Sequence, residues 1–138
     1  MKRLKITALV LSLLATPLAW AHSDEYLDTQ ATPHGGQMRM AGMYHFELLA
    51  KSNELTVYLT DHAGAKIPAN GATGSATVLS GKAKATLKLQ PSGDNVLKGS
   101  GKFELAPDMK VVVSVTMPGK TPEQARFTPQ TAAAVHQH

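Results

Sequence analysis

Histidine and methionine crowd into one short stretch of this chain. Pro33-His34-Gly35-Gly36-Gln37-Met38-Arg39-Met40-Ala41-Gly42-Met43-Tyr44-His45-Phe46-Glu47 holds two of the six histidines and three of the six methionines. Imidazole is a borderline ligand and thioether a soft one. Together they suit copper better than magnesium or calcium, which take hard oxygen donors. The first half is punctuated by glycine and reads as loop. The second half alternates like the opening of a strand. The same methionines also fit as apolar filler under a loop, because Met adapts to irregular gaps.

Other donors lie outside the stretch. His62 sits in the turn Asp61-His62-Ala63-Gly64, with Asp61 beside it as an oxygen donor or orienting partner. His22 becomes the first residue if the chain is cut after Ala21, and it would then offer an α-amine and an imidazole to one ion. Glu47 falls two residues after His45, on the same face of a strand. The metal-ligating candidates are therefore His34, His45, Met38, Met40, Met43, Glu47, His62 and His22. The chain contains no cysteine. That excludes a thiolate nucleophile, a disulfide framework and a Cys-based zinc site, and it leaves soft ligation to methionine.

The elements that must position these donors follow from pattern. Residues 1–21 read as a secretory signal peptide: Lys2, Arg3 and Lys5, then an apolar run from Ile6 to Leu14, then Ala19-Trp20-Ala21 as the cleavage site. The apolar run is too short for a strong membrane span, so none is expected in the mature chain. The expected location is the periplasm. Without this segment the chain carries 11 basic against 10 acidic residues, so its basic balance is a targeting feature and nucleic acid is not an expected partner.

About 117 residues then remain, the size of one domain. Residues 22–41 read as an extended polar arm followed by the His/Met loop. Residues 42–128 read as an antiparallel, immunoglobulin-like β-sandwich of seven to eight short strands. The expected strands are Gly42–Ala50, Glu54–Thr60, a short edge strand Ala65–Ala69 broken by Pro68, Gly74–Leu79, Lys82–Gln90, Asn95–Leu105, Lys110–Met117 and Gln124–Thr128. Lys82, Lys84, Thr86 and Lys88 alternate with Ala83, Ala85, Leu87 and Leu89, which implies a sheet with one wet face. The valine run at 111–115 implies a strand buried on both faces. Residues 129–138 read as a disordered tail ending His136-Gln137-His138.

Four segments carry a resemblance: Pro33-His34-Gly35-Gly36; Gly42-Met43-Tyr44-His45-Phe46-Glu47-Leu48; Val57-Tyr58-Leu59-Thr60-Asp61; and Pro118-Gly119-Lys120 with Ala125-Arg126-Phe127. The chain resembles small bacterial periplasmic proteins associated with heavy metals, and the His-Gly-Gly domain found in some adaptor subunits of heavy-metal efflux systems of the resistance-nodulation-division type. The resemblance spans roughly Pro33 to Phe127. It implies heavy-metal binding, with His34, His45 and Glu47 as matched positions, and an efflux component as a partner. The helical hairpin that an adaptor uses to reach its pump is missing, so the implied form is a stand-alone domain.

The expected function is a periplasmic copper chaperone or buffer linked to heavy-metal resistance or efflux. Two alternatives stay open: a zinc-, nickel- or cobalt-binding accessory of an efflux system, and a protein-interaction module with no metal. No nucleophile–base–orienter set can be named, so an enzyme is not expected.

Overall fold

The computed structural model describes residues 24–129. The signal peptide, His22 and the His136-Gln137-His138 tail lie outside the described residues. Those described form an all-β protein with one short helix. Its strands are β1 (Gln37–Ala41), β2 (Tyr44–Lys51), β3 (Glu54–Asp61), β4 (Thr73–Ser80), β5 (Ala83–Pro91), β6 (Val96–Ser100), β7 (Lys110–Thr116) and β8 (Glu123–Phe127). All pair antiparallel, in the spatial order β1-β2-β3-β6-β5-β4-β7-β8.

Two four-stranded halves, β1-β2-β3-β6 and β5-β4-β7-β8, share one core. They are joined by a narrow seam in which only Gln90 and Pro91 of β5 pair with Lys98 and Leu97 of β6. At the far edge β1 meets β8 without a ladder, and side chains bridge instead. Gln37 Oε1 accepts the Thr128 backbone N–H at 2.7 Å, and Arg39 Nε donates to the Arg126 carbonyl at 3.2 Å. The sheet is thereby nearly closed on itself.

Period-two alternation sets the inward face. Phe46 and Leu48 of β2, Leu55, Val57 and Leu59 of β3, Leu87 and Leu89 of β5, Leu97 of β6, Val111, Val113 and Val115 of β7, and Phe127 of β8 fill a single apolar core. Each fully buried Leu or Phe contributes on the order of 1.5–3 kcal/mol of transfer free energy. Among the described methionines only Met109 and Met117 belong to that core or pack on it.

The arm differs from its reading as extended. Asp24–Asp28 is a single helical turn, α1, with Leu27 buried. Arg39 on β1 holds it, pairing with both carboxylate oxygens of Asp28 at 2.7 and 3.3 Å. Asp24 adds a longer ion pair to Arg39 at 4.0 Å and accepts the Met40 backbone N–H at 3.2 Å. Composition alone hides this, because the helix is bound by contacts to β1 and one leucine. The second half of the His/Met loop is also strand. Gln37–Ala41 pairs with Tyr44–Leu48, which places the hairpin turn at Gly42-Met43. Ala65–Ala69 forms no strand and contributes one bridge, Thr60 to Lys66; Pro68 lacks the N–H a ladder requires. β6 stops at Ser100, five residues short of its expected end. β7 is buried on its core face only, while Val112 and Ser114 are half-buried outside.

Candidate metal centre

Register decides which side chains meet. Met40 of β1 lies opposite His45 of β2, which lies opposite Thr60 of β3. Met38 lies opposite Glu47, which lies opposite Tyr58. Directly opposed residues of antiparallel strands project to one face with Cβ atoms about 5 Å apart. Phe46 and Leu48 point into the core, so these two rows lie on the outer face. That face is covered. His45 is 5% exposed and Glu47 2%, while Met38, Met40, Tyr58 and Thr60 are half-buried.

Glu47 organises the lower row. Its Oε2 accepts the backbone N–H groups of His34 at 3.0 Å and Gly36 at 2.9 Å. Its Oε1 accepts the His34 Nδ1–H at 2.9 Å. The His34 ring stacks on Tyr58, with centroids 3.6 Å apart and planes 5° from parallel. The glycines make this possible. Gly35 takes a positive φ of 74°, where side chains are strained. A Cβ on Gly36 would strike the Leu48 carbonyl oxygen. The loop is a clasp, with a buried carboxylate held by two amides and an imidazole. A carboxylate on Nδ1 fixes the tautomer and leaves the lone pair of a neutral ring on Nε2, the usual way an orienting carboxylate prepares a histidine ligand.

The upper row holds a second pair. His62 Nδ1 stands 2.9 Å from His45 Nε2, with the rings nearly perpendicular at 89°. His62 Nε2 donates to the Gly42 carbonyl at 3.1 Å. A carbonyl only accepts, so His62 carries its hydrogen on Nε2. In the neutral ring Nδ1 is then a lone pair, and His45 Nε2–H donates to it. Two ring nitrogens thus aim at a single hydrogen. A cation replacing that hydrogen leaves His45 with its N–H on Nδ1. With metal–nitrogen bonds of about 2.0–2.1 Å, two nitrogens at this separation subtend about 90°, as in tetragonal coordination. Met40 is the cross-strand neighbour of His45, and Met43, 76% exposed, follows Gly42 at the hairpin tip.

The expected donors therefore divide. His34 belongs with Glu47, and His45 with His62. Met38 and Met40 share their face, and Met43 borders it. Among the described residues no three His, Cys, Asp or Glu side chains form a group that could hold a metal ion, so a third donor here would come from another group, such as a thioether on the same face. Asp61 is not open as a ligand on Oδ1, which accepts the Ala63 and Ala65 amides at 2.9 and 2.8 Å. Two contributors were missed in the sequence. Tyr58 was legible as the outward residue of β3, but its partner depends on register. Glu123, whose carboxylate lies against Gly42, comes from the far end of the chain, and no local pattern announces it.

No model of a known protein family, no curated protein and no solved structure matches this chain. Among the described residues no helix is long and apolar enough to cross a membrane.

Proposed function

We propose that this chain is an exported copper-binding protein, a chaperone or buffer serving heavy-metal resistance or efflux. His45 Nε2 and His62 Nδ1 are the nitrogen donors and Met40 the thioether. The observation that carries this reading is the facing pair of ring nitrogens at 2.9 Å, with the outer nitrogen of His62 already committed to a carbonyl. Two further observations support it. The methionines at 38, 40 and 43 stay out of the apolar core. The first 21 residues carry the pattern of an export signal. The resemblance to the His-Gly-Gly domain of heavy-metal efflux adaptors points the same way. Nitrogen donors suit Cu(II), and the added sulfur suits Cu(I).

A zinc-, nickel- or cobalt-binding accessory is the second reading. The carboxylate bound to His34 Nδ1 favours it, since such pairs commonly orient zinc-binding histidines.

Titration of the protein purified from the periplasm with Cu(II), with Cu(I) under anaerobic reduction, and with Zn(II) separates the two. His45→Ala and His62→Ala should each weaken copper binding by at least about tenfold, with a smaller loss for His34→Ala. Tight copper binding that survives both of the first two substitutions removes this site. Preference for zinc, abolished by His34→Ala alone, selects the second reading.

A further inference from the structure

Three of the described hairpins turn on two residues. Lys51 pairs with Glu54 around Ser52-Asn53, Ser80 with Ala83 around Gly81-Lys82, and Ala41 with Tyr44 around Gly42-Met43. Such turns are built mainly from Gly, Asn, Asp and Ser, which supply the backbone angles or bond locally. Gly42 and Gly81 meet that need with φ of 58° and 60°, each leading its turn. The residue that follows is then free to be polar, as Lys82 is. Met43 breaks the pattern. It is 76% exposed, more than any other large apolar side chain described, so it adds nothing to the core.

Its position supplies a reason. His62 Nε2 donates to the Gly42 carbonyl at 3.1 Å, and that carbonyl belongs to the peptide bond leading into Met43. Standard peptide dimensions then place the Met43 Cα within about 6 Å of His62 Nε2. Methionine's three rotatable side-chain bonds can bridge that span. The donors around this turn grade outward: His45 is buried, Met40 half-buried, and His62 and Met43 exposed. The Glu123 carboxylate lies against Gly42, so the root of the tip carries negative charge, which favours a cation there over an apolar partner.

Resting on the copper reading above, we propose that Met43 is the exchange ligand of this site, and that the partner which delivers or collects copper presents a thioether of its own. His45, His62 and Met40 hold the ion at rest. During transfer the Met43 sulfur bonds to Cu(I) as the His62 nitrogen lets go, and the partner's sulfur then bonds as Met43 lets go. The ion stays Cu(I) and both sulfurs are neutral, so no electron and no net proton moves. A thioether suits the partner because soft sulfur matches Cu(I), and the compartment implied by the export signal disfavours free thiols.

Anaerobic transfer of Cu(I) from the loaded protein to a dye-labelled synthetic peptide carrying three methionines tests this. The wild-type rate is expected to rise in proportion to peptide concentration, as direct exchange requires. Met43→Leu keeps the apolar bulk and removes the sulfur. It should slow transfer at least about tenfold while leaving the Cu(I) dissociation constant, measured by competition with bicinchoninate, within about twofold of wild type, the mark of an interaction made only in transit. Met40→Leu should raise that dissociation constant instead. Position 43 is exposed, so the circular dichroism spectrum reports that the variant is folded. Transfer by Met43→Leu at the wild-type rate overturns the proposal. So does a rate independent of peptide concentration, which means that the ion leaves through solvent, or a Met43→Leu dissociation constant raised as far as that of Met40→Leu, which makes Met43 a resident ligand. A wild-type protein that takes up no Cu(I) defeats the copper reading itself and the exchange with it, whereas tight binding with exchange unchanged in Met43→Leu defeats the exchange alone.

Discussion

The outer face of β1-β2-β3 and the outer face of β5-β4-β7 obey the same alternation and end in opposite states. On β5, Lys84, Thr86 and Lys88 are exposed, and on β4 Ser75 and Leu79 are as well. On β2, the equivalent outward positions are His45 and Glu47, and both are buried. Burying a polar group costs free energy unless it is hydrogen-bonded, and burying a carboxylate costs more. No described buried side-chain nitrogen or oxygen lacks a partner. A sheet surface needs no lid to be stable. This one has a glycine-rich clasp along one row and the Asp61–Gly64 turn, with His62, at the other. Departure from the ordinary wet face, more than the presence of histidine, makes this region the candidate site.

The contrast can be broken by substitution. Glu47→Ala strands the His34 and Gly36 amides and the His34 ring, and should lower stability by about 3 kcal/mol, the cost of leaving buried donors unsatisfied. Lys88→Ala, on the wet face, should stay within about 0.5 kcal/mol of wild type. Urea denaturation of both measures the difference. Equal midpoints would mean that the carboxylate does not hold the covered face together. Metal is the next largest effect. Free copper at about 100 times its dissociation constant should stabilise the protein by about 2.7 kcal/mol by mass action. His62→Ala should abolish that gain, and Lys84→Ala should not. A melting temperature unmoved by copper in the wild type would leave the His45–His62 pair with a purely structural role.

Gly36→Ala follows. The added Cβ meets backbone at Leu48, which cannot turn aside as a side chain would. A loss of about 1–3 kcal/mol is expected, the range for forcing extra atoms into a packed site. Ser75→Ala, outward on β4, should be nearly silent by thermal melting. A tolerated alanine at 36 would show that the loop has a second seat.

The sequence made the wet face readable and the covered face only partly so. Alternating lysines between Ala85, Leu87 and Leu89 specify a solvated strand without help from any other segment. The valine run of β7 misled, because Val112 packs outward only halfway, a matter of neighbours rather than composition. Near the site, the types and positions of His34, His45, Glu47 and Met40 were visible, as was the outward direction of Tyr58. The pairing was not. That His34 belongs to Glu47, and His45 to His62, depends on the 35–36 glycines folding the loop back over β2 and on the turn after Asp61 curling toward Gly42. Both are long-range outcomes of backbone geometry. α1 was missed for a related reason, since the contacts of Asp24 and Asp28 to β1 and a single buried leucine leave no periodic trace.

The smallest expected effect is a pH dependence where the two halves adjoin. Lys66, in the segment after β3, donates to Asp94 Oδ2 at 2.8 Å, in the loop between β5 and β6. The hydrogen bond from Asp94 and its negative charge hold the Lys66 ammonium above its usual pKa of 10.5, against a small opposing desolvation. A raised folded pKa means that the pair's contribution is fully present below the ordinary lysine value and disappears as pH rises through the raised one. Both side chains are exposed, at 64% and 62%, so solvent screening keeps the contribution small. Asp94→Asn is the suitable probe, because Asp94 sits at a positive φ of 46°, a conformation that asparagine tolerates. Its melting temperature should fall slightly below wild type at neutral pH and low salt, and the two should converge at strongly alkaline pH or in high salt. A gap that persists under both conditions would place the effect in the backbone of the turn and not in the ion pair.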